Sequence, residues 1–172
     1  QKIDEKQAWF PLRKKDKKYY YLSKGKYTKP RFPIYIMSKG RWQRNPTSKM
    51  LEKMNVPFFI IVEKQEYKDY LNLVDKKKIL ILPQKYKDNY DHFWKDDDTR
   101  TGPGCARNYA WEHSIKNGHK WHWVMDDNIE SFERFNNNKK IRVYDGSIFY
   151  VSEDFVLRYA IHQLDINKIF PP

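Results

Sequence analysis

The sequence predicts an α/β fold with a mostly parallel central sheet flanked by helices. Three observations carry this. Four short apolar runs of strand length recur along the chain, at Ile34–Met37, Val56–Val62, Lys78–Pro83 and Trp121–Met125. Segments of helical character separate them, so the order is β-α-β-α-β-α-β. The second run is apolar almost throughout, as suits a strand buried on both faces of a parallel sheet. At 172 residues the chain suits one domain with a real hydrophobic core.

Residues 1–31 read as an irregular basic arm or an edge hairpin, with Lys24-Gly25-Lys26 as a turn. Pro30 and Pro33 bracket the entrance to the first strand, which ends in the polar loop Ser38-Lys39-Gly40-Arg41. Asn45-Pro46-Thr47 marks a helix start, with Thr47 as the expected cap and the helix running to about Met54. Glu63 stands at the carboxyl end of the second strand. Residues 66–74 read as a short helix, and Pro83 closes the third strand. Residues 84–101 are polar and read as irregular, with Asp96-Asp97-Asp98 as a solvated loop or a lid. Gly102-Pro103-Gly104 opens the longest helix, to about Asn117, and Gly118 stops it. The fourth strand runs straight into Asp126-Asp127-Asn128. Beyond it, Ile141–Tyr144 reads as an edge strand that turns at Asp145-Gly146 and pairs with Ile148–Tyr150. Ser152 is expected to cap a last helix reaching Leu164. No repeat and no linker is visible, which leaves a basic aromatic arm at 1–31 and one domain at 32–172.

The formal net charge is +12, and residues 1–31 hold 11 Lys/Arg against 3 Asp/Glu. Two thirds of the excess therefore sits in the arm. Its densest run, Arg13, Lys14, Lys15, Lys17 and Lys18, is followed by Tyr19-Tyr20-Tyr21. Cations interleaved with rings suit the phosphates and bases of a nucleic acid; a solvated tail is the alternative. The 13 Tyr, 10 Phe and 6 Trp either build a core of large rings or leave some free to stack on bases or sugars. Cys105 is the only cysteine, so no internal disulfide forms, which fits a reducing cytoplasm. No apolar run approaches the roughly 20 residues of a membrane span. Gln1–Phe10 lacks the apolar stretch of a signal peptide and an initiator Met, so the chain reads as a processed or trimmed product.

Asp126-Asp127-Asn128 carries the chemistry. Adjacent carboxylates repel, and a divalent cation relieves that repulsion. Oxygen ligands suit Mn²⁺ or Mg²⁺, and a diphosphate is the natural further ligand of such an ion. An acidic turn after a strand is the plain alternative. Arg41, Glu63 and Asp126 all fall at carboxyl ends of strands, where parallel sheets bind ligands. His113, His119, His122 and Cys105 fit no tetrahedral zinc spacing.

Four segments then carry a resemblance: Ile34-Tyr35-Ile36-Met37-Ser38-Lys39-Gly40-Arg41, Phe59-Ile60-Ile61-Val62-Glu63, Gly102-Pro103-Gly104-Cys105-Ala106-Arg107-Asn108 and Trp123-Val124-Met125-Asp126-Asp127-Asn128-Ile129. In order and spacing they resemble the GT-A-type glycosyltransferases of bacteriophages that modify hydroxymethylated pyrimidines in DNA. These include the TET-associated glycosyltransferase group and the phage β-glucosyl-hydroxymethylcytosine glucosyltransferases. The resemblance covers about residues 32–130. It implies a GT-A-like nucleotide-sugar-binding fold, a UDP-sugar donor, a double-stranded DNA acceptor and the cytoplasm of an infected host cell as the setting. It implies donor contacts from Ser38, Arg41, Glu63, Arg107, Asp126 and Asp127. Asp126 and Asn128 take the outer, metal-facing positions of a DxD-like element. The third position is Asn where that element has Asp. Read alone, Arg41 and Arg107 are equally surface charges, Glu63 a solvated strand end, and Gly102-Pro103-Gly104 a turn.

Only 44 residues follow Asn128, and among them Glu130, Glu133, Asp145, Glu153 and Asp154 have no spacing that singles out a catalytic base. The catalytic base is thus unassigned, and the chain reads as a truncated or unusually compact member. A DNA-binding protein without catalysis is the competing reading, and a metal nuclease using Asp126 and Asp127 ranks below it.

Overall fold

The computed structural model describes residues 29–90, 103–136, 139–150 and 152–153. In chain order the elements are β1 (Ile34–Met37), α1 (Pro46–Lys53), β2 (Phe59–Val62), α2 (Tyr67–Tyr70), β3 (Ile79–Ile81), α3 (Lys85–Asp88), α4 (Gly104–Lys116), β4 (Trp123–Asp126), β5 (Glu133–Asn136) and β6 (Lys139–Arg142). Short 3-10 turns at Lys64–Glu66 and Lys76–Lys78 lead into α2 and β3. The chain divides into two compact units.

The unit formed by Phe32–Lys53 and Pro57–Glu130 holds a four-stranded sheet in the order β3-β2-β1-β4, every pair parallel. This is the α/β architecture, a parallel sheet flanked by helices, that the sequence predicts. The chain steps outward from β1 to β3, then crosses back past β1 to lay down β4. The strand order reverses between β1 and β4, where open parallel sheets form a ligand crevice. Pairing of Met37 with Asp126 brings the two strand ends level. The loop after β1 and the acidic turn after β4 therefore start side by side.

Strand alternation sends Tyr35, Met37 and Ile61 to one face, where Leu82, Cys105, Ala106 and Ala110 pack with them. Ala106, Ala110 and Ser114 recur every fourth residue along α4, and all three are buried. Such small side chains let a largely polar helix lie close to the sheet. Ile34, Ile36, Ile60 and Val62 alternate with the first set and are buried as well, so both faces are covered. Each such side chain contributes about 1.5–3 kcal/mol by leaving water.

Helix ends follow local chemistry. At α1 the cap is Asn45, whose Oδ1 accepts from the Ser48 N–H at 3.1 Å. Pro46 occupies the first helical position, where no N–H is needed. The expectation that Thr47 caps this helix is corrected: Thr47 lies one residue inside, and its hydroxyl serves the turn after β4. At α4, Gly118 has φ +78. The His119 N–H reaches the Ser114 carbonyl and the Gly118 N–H that of Ile115, the paired bonds of a Schellman stop. Residues 84–101 were expected to be irregular, yet Lys85–Asp88 forms α3.

The second unit holds the antiparallel pair β5–β6, with Glu133 opposite Arg142 and Asn136 opposite Lys139. The expected hairpin at 141–150 is therefore corrected: β6 pairs backward, and residues 147–150 are helical. Asp145 explains the difference. Its Oδ1 accepts from the Ser147 N–H at 2.9 Å, starting a helical turn where a hairpin was expected. Within this unit Phe132 meets Phe149 edge-on at 5.1 Å, and buried Glu153 accepts from the Arg31 N–H at 2.7 Å. Most of the expected helix beyond Ser152 lies outside the described residues, as do Asp96-Asp97-Asp98 and residues 1–28. Among the described residues no helix is long and apolar enough to cross a membrane.

Candidate functional site

A cleft of about 400 Å³ opens at the carboxyl ends of the strands. Ser38 and Arg41 enter it from the loop after β1, Glu63 from β2, and Asp126, Asp127 and Asn128 from β4. Arg107 reaches the same end from the first turns of α4, with Nη2 at 3.2 Å from Asp126 Oδ1. All seven residues picked from the sequence for the donor and metal thus meet at or beside one cleft; the five of the basic arm lie outside the described residues.

Ser38 is the hub. Its hydroxyl is buried and bonds to Asp127 Oδ2 at 2.7 Å, to Tyr70 Oη at 2.6 Å and to Asn45 Nδ2 at 3.1 Å. A hydroxyl has one proton, and an ionised carboxylate only accepts. Ser38 therefore donates to Asp127 and accepts from both Tyr70 and Asn45. The Tyr70 hydroxyl in turn accepts from the Arg41 N–H at 3.3 Å. Burial, chiefly, raises the Tyr70 pKa, which keeps the phenol protonated and donating. The Arg41 guanidinium closes the circuit on Asp127 Oδ1 at 3.1 Å.

The two aspartates consequently differ. Asp127 has a 9% exposed side chain, and both of its oxygens are held by the chain. The Asp126 side chain is 59% exposed, and its ion pair with Arg107 uses one oxygen. Neighbours in sequence, the two carboxylates line one cleft but pair with different arginines. Arg41 and Arg107 relieve their mutual repulsion, so that repulsion alone does not require a metal. The turn they begin is fastened from α1: the Thr47 hydroxyl donates to the Asp126 carbonyl at 2.7 Å and accepts from the Ile129 N–H at 2.8 Å.

At the other end of the cleft, Glu63 is buried between two lysines, with Lys39 Nζ at 2.9 Å and Lys87 Nζ at 3.4 Å, and it accepts from Gln65. Burial pushes its carboxyl upward; the bonds from Lys39 and Gln65 and the two ammonium charges outweigh this and hold it below the usual range. Gly40, at φ +68, turns the first loop and gives its N–H to Glu66 Oε1.

Residues 32–167 match the family model of the TET-associated glycosyltransferases. The chain belongs to this family. As a TET-associated glycosyltransferase it is an enzyme that takes a nucleotide-sugar donor and an acceptor. The match runs past the segments that carried the resemblance, into the second unit. No curated protein and no solved structure matches the chain significantly.

Within this glycosyltransferase cleft, no group of three or more His, Cys, Asp or Glu is set to hold a metal ion, and the same is true of all the described residues. The residues that fit a metal are Asp126, which has an oxygen outside its ion pair, and exposed Asn128, which lines the same wall. One carboxylate and one amide oxygen are hard donors of the kind Mn²⁺ or Mg²⁺ takes. His113 serves a different purpose: its Nδ1 is hydrogen-bonded to the Tyr35 hydroxyl at 2.8 Å in an aromatic cluster with Phe59. Burial, then the charges of Lys116 and His119, lower its pKa.

Sequence reasoning missed Asn45, Thr47, Tyr70, Lys39 and Lys87. The Asn45-Pro46 pair is a cap signal in its own right and was available. Tyr70, in a polar helical stretch, carried no signal, because its role depends on how α2 sits beside the first loop.

Proposed function

We propose that the chain transfers a hexose or pentose, glucose or a relative of it, from a UDP-sugar to a hydroxymethylated pyrimidine of DNA, or to a sugar already on it. The observation that carries this is the convergence of Ser38, Arg41, Glu63 and Asp126 on one cleft at the reversal of the strand order, in a chain of this family. In the step, the acceptor hydroxyl oxygen bonds to the anomeric carbon and the bond from that carbon to the diphosphate oxygen breaks. The electron pair leaves with UDP, and the hydroxyl proton is released to the medium.

Each residue has a task in this reading. The loop from Ser38 to Arg41, stiffened by Tyr70 and Asp127, holds the nucleoside. Glu63 and its lysines bound that pocket. Arg107 and Arg41 offer charge to the diphosphate. Asp126 and Asn128 would hold Mn²⁺ or Mg²⁺, which neutralises charge on the leaving group when bound. Arg13, Lys14, Lys15, Lys17 and Lys18, outside the described residues, are proposed to contact DNA phosphates on charge alone.

Titration with UDP and UDP-sugars, with and without Mn²⁺, tests the reading. Metal-assisted binding that Asp126→Ala weakens at least tenfold is the expected result. Absence of binding and of donor hydrolysis by the wild-type chain refutes the donor assignment. Salt-sensitive DNA binding without any nucleotide-sugar binding supports instead a DNA-binding role without catalysis.

A further inference from the structure

Next to the first cleft lies a second, of about 500 Å³, whose walls include Arg41, Trp42, Gln43, Arg44, Asn128 and Glu130. Arg41 and Asn128 belong to both clefts. A third cleft, between α3 and α4 around Tyr86 and Trp111, shares no residue with the first. Group transfer requires the acceptor oxygen to reach the anomeric carbon beside the diphosphate. In the proposed reading that carbon lies at the Asp126–Asn128 end. Of these three clefts, the second is the one that shares that wall.

Its chemistry is specific. The half-buried Trp42 offers a ring, Gln43 an amide, and Arg44 a planar guanidinium whose side chain is 89% exposed. Among the described residues Arg44 has one ionic partner, Glu130, at 3.8 Å, itself 74% exposed. So loose and solvated a pair costs little to open. Lys49 Nζ, outside the lining, is bonded to the Gln43 carbonyl at 3.2 Å. An aromatic face beside an exposed guanidinium suits a nucleobase and its phosphate.

We propose that this second cleft is the acceptor site: it receives one nucleotide of a polynucleotide, with the base on Trp42 and its phosphate taking Arg44 from Glu130. The inference rests on the reading of the first cleft as the donor site, and its test separates the two. The full chain would be assayed with a labelled hydroxymethylpyrimidine oligonucleotide in two ways: binding without donor, and transfer from UDP-sugar with Mn²⁺. Trp42→Ala and Arg44→Ala are each expected to raise the oligonucleotide Kd and the acceptor KM on the order of tenfold. Their affinity for UDP should stay within about twofold of wild type, which also shows that the variants fold. Arg44→Ala should lower the slope of log Kd against log salt by about one.

Unchanged oligonucleotide binding and acceptor KM in both variants overturn the proposal. So does an equal loss of UDP affinity, or a free saccharide acceptor used as well as the oligonucleotide with no effect of Arg44→Ala. A wild-type chain that fails to bind UDP-sugar refutes the donor reading alone, because oligonucleotide binding by the two variants still decides the second cleft.

Discussion

Asp126 and Asp127 show how far apart two adjacent, identical residues can stand. Asp127 accepts from Ser38 and Arg41 in a buried circuit, whereas the Asp126 side chain is exposed and pairs with Arg107. Asp127→Ala strands a buried hydroxyl and should cost about 1–3 kcal/mol in urea unfolding. Asp126→Ala, at an exposed position, should change stability by less than about 0.5 kcal/mol while donor affinity falls. Equal stability losses in the two variants would contradict the division. Glu63 gives a pH signature. Its folded-state pKa is depressed, so its contribution is complete above the normal carboxylate range and is lost as pH falls through the folded value. The urea midpoint of the wild type should therefore drop more steeply on acidification below about pH 4.5 than that of Glu63→Gln. The sequence exposed the residues at strand ends, because an apolar run followed by a charge is a local pattern. It hid the partners, since Tyr70 and Thr47 meet this site only through tertiary packing.

Among the elements, α1 acts as a fastener between the first loop and the turn after β4. Asn45 caps it and bonds Ser38, while two residues on, Thr47 grips Asp126 and Ile129. Thr47→Val keeps the shape and removes both hydroxyl bonds; a loss of about 1–3 kcal/mol is expected, with weaker UDP binding as the turn loosens. Unaltered UDP affinity in a folded Thr47→Val would show that the turn holds itself. Gly118 offers a cleaner measurement. A Cβ there would meet nothing within 4 Å, so Gly118→Ala isolates the strain of φ +78, about 1 kcal/mol. All four sheet strands were legible, because parallel strands read as plain apolar runs. The 141–150 region was misread because Asp-Gly marks a hairpin turn and a helix start alike, and only the Asp145–Ser147 bond distinguishes them.

For the whole molecule, the central question is how charge and cleft cooperate. Eleven of the 34 Lys/Arg fall in residues 1–31, while the cleft residues pair their charges closely. DNA affinity should therefore fall steeply with salt, and replacing Arg13, Lys14, Lys15, Lys17 and Lys18 by Ala should flatten that dependence without altering UDP affinity. A slope that survives the five replacements would move DNA contact elsewhere. The parallel architecture and the family were legible because both rest on contiguous segments in a fixed order. The separation of the second unit was not, since its described members, among them Arg31, Met54–Val56 and the β5–β6 pair, come from distant parts of the sequence with no linker to mark them.

Arg41 is common to the walls of both clefts and is tied to Asp127 by one bond at 3.1 Å. A ligand in either cleft that draws the guanidinium away changes the surface offered to the other. Linkage makes such an effect mutual: whatever factor the donor imposes on acceptor affinity, the acceptor imposes on donor affinity. Cooperativity between the two substrates would then be a property of one side chain, and Arg41→Lys, which keeps the charge but loses the planar fork, is the substitution that should uncouple them.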